Sequence, residues 1–349
     1  MQRLLVDTAV LSGQAASLPL AWLDGLEVIG FPPRGLGADV PGATAADALL
    51  VRTVTRLEPQ VLGLLPRLRA VATLSSGTDH IAVEALARQG IALCTGHGGN
   101  AIAVADWVEW AAARLCQPSP GRRALVVGVG AVGCCVAERL DRLGFAVCLC
   151  DPPRAEREPT FAHVELDAAL AAGGWALVTL HVPKQTAGPH ATANLLSAAR
   201  LERLGGAVVL NAARGGVLDE AAAAALRRSG HLAGLGLDTF IGEPQPATPV
   251  IAAADLATPH IAGHSIEGKL RVAHLAVNRL RLALGLGGLP PLEQAVAAAV
   301  AASAGCDLDP ARQLDAADRA LRADPAQFEA IRHAHKRREL ALGATGQSG

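Results

Sequence analysis

Short apolar runs of strand length alternate with stretches of helical periodicity from the first residues onward. The runs 2–6, 26–30, 48–51, 69–74 and 91–94 are bounded by polar or turn-forming residues, and helices are predicted near 17–23, over 58–64 and over 81–89. Strands that alternate with helices in this way predict a parallel sheet. Residues Asn100–Cys116 carry apolar positions at helical spacing and predict one long amphipathic helix. The breaker-rich string Gln117-Pro-Ser-Pro-Gly-Arg-Arg then leads into a second series. That series comprises strands 124–127, 145–150, 175–180, 207–210 and 232–237, separated by helices 132–143, 166–172, 198–203 and 219–229. A helix over 265–284 follows and is long enough to cross back to the first domain.

The pattern predicts an α/β protein of two Rossmann-like or flavodoxin-like parallel-sheet domains. An active-site cleft is expected between them, at the carboxyl ends of their strands. The expected division places 1–96 and 264–287 in a substrate-binding domain and 97–263 in a dinucleotide-binding domain, with 288–349 as a short C-terminal extension. Within that extension, His335-Lys-Arg-Arg338 is expected to be a solvated helix face, with an interaction surface as the alternative.

One segment of the second series is more specific. Ala124-Leu-Val-Val is followed by Gly128, Gly130 and Gly133 in G-x-G-x-x-G spacing, then by a helix and a second apolar run that ends at Asp151. The first glycine permits a tight turn, the second lets backbone approach a pyrophosphate, and the third allows close packing of helix on strand. The helix N-terminus supplies N–H groups for the phosphates. A carboxylate at Asp151 can accept hydrogen bonds from a ribose diol and would repel a 2′-phosphate, which favours NAD over NADP. Arg154 works against that preference.

With 349 residues the chain can bury two cores. A formal net charge of −1 provides no broad basic field, so a small-molecule partner is expected and neither nucleic acid nor a membrane. The N-terminus Met1-Gln-Arg-Leu-Leu-Val begins directly as a strand, and a cytoplasmic location is expected. Cysteines at 94, 116, 134, 135, 148, 150 and 306 include no C-x-x-C pair and no zinc-like spacing, so they are expected to be reduced and buried, and no metal site is expected.

Three candidates for chemistry follow apolar runs of the second domain. Arg214, in Asn211-Ala-Ala-Arg-Gly-Gly, can hold a carboxylate and an adjacent carbonyl oxygen through paired hydrogen bonds. His260, in Thr258-Pro-His-Ile-Ala-Gly, can carry a proton to or from a carbinol oxygen near neutral pH. Glu243 could bond the distal ring nitrogen, fix its tautomer and favour its charged form. Asp238 ends another run and is either an acceptor for a nicotinamide carboxamide or a turn aspartate. His181 lies where a loop would pass over the cofactor and is expected to contribute backbone. In the first domain, Arg52-Thr-Val-Thr and Ser75-Ser-Gly-Thr-Asp-His80 could wrap a phosphate or carboxylate, or could be plain turns.

Over residues 1–287 the chain resembles the D-isomer-specific 2-hydroxyacid dehydrogenases. The resemblance is carried by Asp47-Ala-Leu-Leu-Val-Arg-Thr-Val-Thr, Ser76-Gly-Thr-Asp-His, Gly99-Asn-Ala-Ile-Ala-Val, Cys150-Asp-Pro-Pro-Arg-Ala, Asn211-Ala-Ala-Arg-Gly and His260-Ile-Ala-Gly-His-Ser-Ile-Glu-Gly-Lys269. It implies NAD as cofactor, Arg214 as substrate anchor, His260 as acid/base and Glu243 as its partner. It also implies that Thr53 and Ser75 touch the substrate. Gly128, Gly130, Val132, Gly133, Asp151, His181, Ala212, Asp238 and Gly263 are the positions expected at NAD. The substrate implied is a small phosphorylated hydroxy acid, and the assembly implied is a homodimer.

Three departures stand out. His264 occupies a substrate position that is usually tyrosine in the nearest subgroup, Asp106 stands where Glu is common, and the C-terminal dimerisation-like region is expected to be truncated. They leave open a dehydrogenase of another D-2-hydroxy acid. A catalytically silent NAD(H)-sensing protein is the alternative from a different class.

Overall fold

The computed structural model describes residues 1–12, 18–32, 35–37 and 40–340. Ser17, where the first expected helix begins, lies outside them, as do residues 341–349 of the C-terminal extension. The described part of that first helix is a 3-10 turn, Leu20–Leu23. The chain forms two compact units. One comprises Met1–Asn100 with Ile266–Cys306, the other Ala101–Ser265 with the described residues from Asp307 on. The C-terminal extension is therefore divided between them.

In the first unit, β1 (Gln2–Asp7), β2 (Leu26–Phe31), β3 (Ala48–Val51), β4 (Ala70–Thr73) and β5 (Ala92–Thr95) form a parallel sheet in the order β2-β1-β3-β4-β5. Its register aligns Leu5, Leu49, Val71 and Leu93 across the strands, and Val6, Leu50, Ala72 and Cys94 one residue further on. Successive residues point to opposite faces, so these are two apolar rows, one per face. The first row packs against Leu62 and Leu86, the second against Leu270, Val277 and Leu280 of helix Ile266–Ala283. At the carboxyl ends of β1 and β3, the Arg52 Nε donates to a fully buried Asp7 carboxylate at 2.9 Å.

The second unit repeats the plan. β6 (Arg123–Val127), β7 (Ala146–Cys150), β8 (Trp175–Leu180), β9 (Val208–Asn211), β10 (Gly234–Leu237) and β11 (Leu256–Ala257) are parallel, in the order β11-β10-β9-β8-β6-β7. The connections reverse direction between β6 and β8, so the loops leaving those neighbouring strands diverge and open a crevice at their carboxyl ends. Leu125, Val178, Val209 and Leu235 fill one face, and Val126, Leu177, Val208 and Leu210 fill the other, against Trp107 and Trp110 of helix Ala101–Leu115.

Strand β11 is the sheet's edge, and an open edge invites pairing with another chain. Here helix Pro310–Ala323 covers it, with Asp318 Oδ1 accepting the Ala257 N–H at 2.7 Å. Leu314 and Ala317 enter one core and Leu321 and Phe328 the other.

Two expectations are corrected. The basic run is no solvated helix face: the last helix stops at Ala334, and His335 and Arg337 turn inward, Arg337 to 0% exposure, while Lys336 stays outside. An extended backbone alternates its side chains, so every second residue of the run is buried. The cysteines are not all buried: Cys134 and Cys306 are exposed, because each lies on a surface turn or helix start and outside the cores. Burial pushes the thiols of Cys94 and Cys116 up to about 11 and that of Cys150 up to about 12.

Phe328 is fully buried and meets Phe240 edge to face at 6.3 Å. Phe328→Ala should cost about 3–5 kcal/mol, read as a lower urea midpoint with loosened proteolytic protection of residues 310–334.

Candidate active site

The glycine loop joins β6 to helix Ala131–Arg142. Gly128 has φ +88, and a Cβ there would sit 2.6 Å from the His181 carbonyl oxygen. A Cβ at Gly133 would fall 2.0 Å from the Gly128 carbonyl oxygen, so the helix can approach its own turn only with glycine at that position. Gly130 differs: a Cβ there meets nothing within 4 Å. No side chain caps this helix. The open space at Gly130 and the uncapped N–H groups fit a pyrophosphate.

Asp151 follows β7. One carboxylate oxygen accepts the Val129 N–H at 2.7 Å and the other the Arg154 N–H at 2.9 Å. The carboxylate thus ties the glycine loop to the second strand while each oxygen keeps a lone pair for an outside donor. Arg154 is turned inward on the protein, with Nε on Glu158 at 2.9 Å and Nη1 on the Val129 carbonyl at 3.0 Å. Those bonds occupy the cation that the sequence set against an NAD preference.

After β8, the His181 ring lies against the loop, its Nε2 2.9 Å from Thr179 Oγ1 and its Nδ1 with no hydrogen-bond partner among the described residues. Burial pushes the imidazole down to about 3, so it is neutral. Val132, Ala212 and Gly263 are half-buried on the same unit.

Three loops carry Arg214, Glu243 and His260. Asn211, fully buried at the end of β9, accepts the Ala213 N–H at 3.0 Å and donates to the Arg214 carbonyl at 3.0 Å, which shapes the turn carrying Arg214. One guanidinium nitrogen of Arg214 donates to the Ala213 carbonyl at 2.8 Å. A Cβ at Gly215 would lie 2.0 Å from the Phe240 carbonyl oxygen, so this turn is pressed against the loop that leads to Glu243. Glu220, 4% exposed, accepts the N–H groups of Gly216 and Ile241 and joins the same two loops. Sequence reading missed it, because an acidic residue in the first turn of a helix passes for ordinary dipole compensation.

His260 Nδ1 donates to Glu243 Oε2 at 2.7 Å, and Glu243 Oε1 accepts the Phe240 N–H at 2.9 Å. Burial opposes ionisation of Glu243, but the His260 hydrogen bond and charge, the Phe240 N–H and Arg332 outweigh it and hold the carboxyl below its usual range. Glu243 is therefore a carboxylate at neutral pH, and the bond to Nδ1 leaves Nε2 as the exchanging nitrogen. The His260 backbone sits at φ +54, sparsely populated for a residue with a side chain.

Asp238, at the end of β10 and 1% exposed, holds this loop in place. Its Oδ1 accepts from Thr258 Oγ1 at 2.6 Å and from Ile261 N at 2.8 Å, its Oδ2 from Ala262 N at 2.9 Å. Trp107 Nε1 supports Thr258 from behind at 2.8 Å. Burial raises the Asp238 carboxyl against the pull of His260 and these donors. The residue expected to meet nicotinamide thus spends most of its acceptor capacity on the loop that carries the histidine.

Of the remaining expected residues, Thr53 is exposed after β3 and Ser75 half-buried after β4, both on the first unit; Ser75 Oγ donates to the Gly77 carbonyl at 2.6 Å. His264 closes a turn, its N–H on the Ile261 carbonyl at 2.8 Å. Among the described residues, no cluster of three or more His, Cys, Asp or Glu could hold a metal ion, and no helix is long and apolar enough to cross a membrane.

A glycine loop opening a helix beside a switch point, on the same unit as a carboxylate–imidazole pair, defines a nucleotide-dependent dehydrogenase scaffold. Residues 97–262 match the D-isomer specific 2-hydroxyacid dehydrogenase, NAD binding domain. The chain is 43% identical over 250 residues to an erythronate-4-phosphate dehydrogenase of Salinibacter ruber, covering 69% of this chain and 63% of that one. With its counterpart in Chromohalobacter salexigens it shares 38% identity over 266 residues, 74% of this chain and 68% of that one. The chain thus spans about two thirds of the length of these curated relatives. A solved protein of Thermus thermophilus, 27% identical, superposes with a TM-score of 0.63 over 83% of this chain and 99% of its own. The chain belongs to the D-isomer specific 2-hydroxyacid dehydrogenase family.

Gly133→Ala should weaken NADH binding at least roughly tenfold, a loss of about 1.4 kcal/mol or more, in a fluorescence titration. For His181 the folded value lies below the ordinary 6.5, so the unfolded chain takes up the proton first. Its contribution to stability is complete above that pH and is lost as pH falls toward 3. His181→Gln should therefore lose stability less steeply than the wild type on acidification, by up to about 1.4 kcal/mol per pH unit, in urea titrations at stepped pH.

Proposed function

We propose that the protein catalyses the NAD-dependent oxidation of 4-phospho-D-erythronate to 2-oxo-3-hydroxy-4-phosphobutanoate, a step toward pyridoxal 5′-phosphate. The observation that carries the reading is the 2.7 Å Glu243–His260 pair on the unit that holds the glycine loop. The relatives named erythronate-4-phosphate dehydrogenase supply the substrate.

Gly128, Gly130, Val132 and Gly133 would hold the pyrophosphate, Asp151 the adenosine ribose, and His181, Ala212, Asp238 and Gly263 the nicotinamide half. NAD, when bound, supplies the acceptor for the hydride that leaves C2. Arg214 anchors the carboxylate and polarises the C2 oxygen, which fixes the reacting carbon. His260 Nε2 takes the hydroxyl proton, and the Glu243 carboxylate offsets the charge that develops on the ring. Thr53, Ser75 and His264 are assigned to the substrate. The working assembly is a homodimer in the cytoplasm.

His264 favours a second reading, a dehydrogenase of another D-2-hydroxy acid. Rates on a panel of phosphorylated and unphosphorylated 2-hydroxy acids separate the two, and preference for an unphosphorylated acid would overturn the first. Tight NADH binding with no turnover of any acid would leave the sensor.

His260→Ala should lower kcat about 10²–10⁴-fold with NADH affinity little changed, and Glu243→Gln should lower it by a smaller factor. Near-normal turnover in His260→Ala would remove the assignment.

A further inference from the structure

Residues His335–Leu340 cross the start of helix Ala101–Leu115 in extended form and carry a wholly buried guanidinium. Arg337 Nη2 donates to the carbonyl oxygens of Ala103 at 2.8 Å and Ala262 at 2.7 Å, and Nη1 faces Asp106 Oδ2 at 3.4 Å. Asp106 is itself fixed, with Oδ1 accepting from Arg139 Nη2 at 2.6 Å and Oδ2 from Leu340 N at 2.9 Å. Ser265 Oγ donates to Glu339 at 3.1 Å, so the segment is fastened again just past Arg337.

A buried cation is costly to desolvate and persists only where its hydrogen bonds are well made. Here one of those bonds goes to a backbone carbonyl two residues after His260. Ala262 is gripped at both ends, its N–H by Asp238 and its carbonyl by Arg337. A histidine held at positive φ needs such over-determination, since relaxation of the loop would swing the imidazole away from its working direction.

We propose that Arg337 is a positioning residue for His260: by holding the Ala262 carbonyl it keeps the His260–Gly263 loop in the conformation that aims the imidazole. The proposal rests on the reading of His260 as the acid/base. It makes the C-terminal segment part of the catalytic apparatus of its own subunit. The Arg337→Met variant leaves Asp106 paired with Arg139 and Leu340 while removing the guanidinium bonds to the Ala103 and Ala262 carbonyls.

The test compares full-length wild type, Arg337→Met and Arg337→Lys by hydrogen exchange and by steady-state kinetics. In Arg337→Met the amides of Ile261 and Ala262 should exchange at least roughly tenfold faster while β6, β8 and β9 keep their protection. Its kcat should fall by a similar factor with the KM for NAD nearly unchanged, added methylguanidinium should restore part of kcat, and Arg337→Lys should lie between. Unchanged exchange at 261–262 in folded protein would overturn the proposal. So would a kcat that declines only with the folded fraction and does not respond to methylguanidinium. If Arg337→Met does not fold, the Arg337→Lys exchange pattern decides by the same criterion. If the wild type oxidises none of the acids, the functional reading fails, and the exchange data alone still decide whether Arg337 holds the loop.

Discussion

The site depends on a carboxylate that has almost no contact with water. A group of that kind must collect donors from its own chain, because the alternative is an unpaired buried charge worth several kcal/mol. Asp238 meets the requirement by folding residues 258–262 around itself, taking the Thr258 hydroxyl and two consecutive backbone N–H groups. His260 is carried along, at a backbone angle it would not choose alone. The carboxylate–imidazole pair follows: the imidazole reaches Glu243, and Glu243 in turn closes its own loop through the Phe240 N–H.

The second constraint is steric. The turn bearing Arg214 and the glycine loop after β6 lie so close to neighbouring backbone that Gly215 and Gly133 have no room for a side chain. Glu220 then joins the Arg214 turn to the strand-end loop that leads to Glu243. The Arg214 and Glu243 loops therefore behave as one body, and the C-terminal residues extend that body by covering the edge of β11 and adding side chains to both cores.

Much of this was legible along the chain. Helix 166–172 and strand 175–180 fall where periodicity puts them, because a buried parallel strand and a helix seated on it leave unmistakable apolar runs. The pairing of Glu243 with His260 was readable as a residue type next to a plausible partner. Helices Pro152–Arg157 and Thr248–Ala253 escaped, since each is short and carries proline in its first two positions, which reads as a turn. The inward turn of Arg337 escaped for another reason: its partners, Asp106, Ala103 and Ala262, lie at distant points of the sequence, and a basic run carries no mark of such company.

By itself the sequence determined the two series of alternating strands and helices, the glycine loop and the residue types able to move a proton, because these are set by local spacing and by the chemistry of single side chains. Only the tertiary structure decided that Asp238 is occupied with holding a loop, that Glu220 ties two turns together and that a C-terminal arginine reaches the peptide beside His260. Those roles come from which polar groups are left without water once the cores close, and that is a property of the folded arrangement.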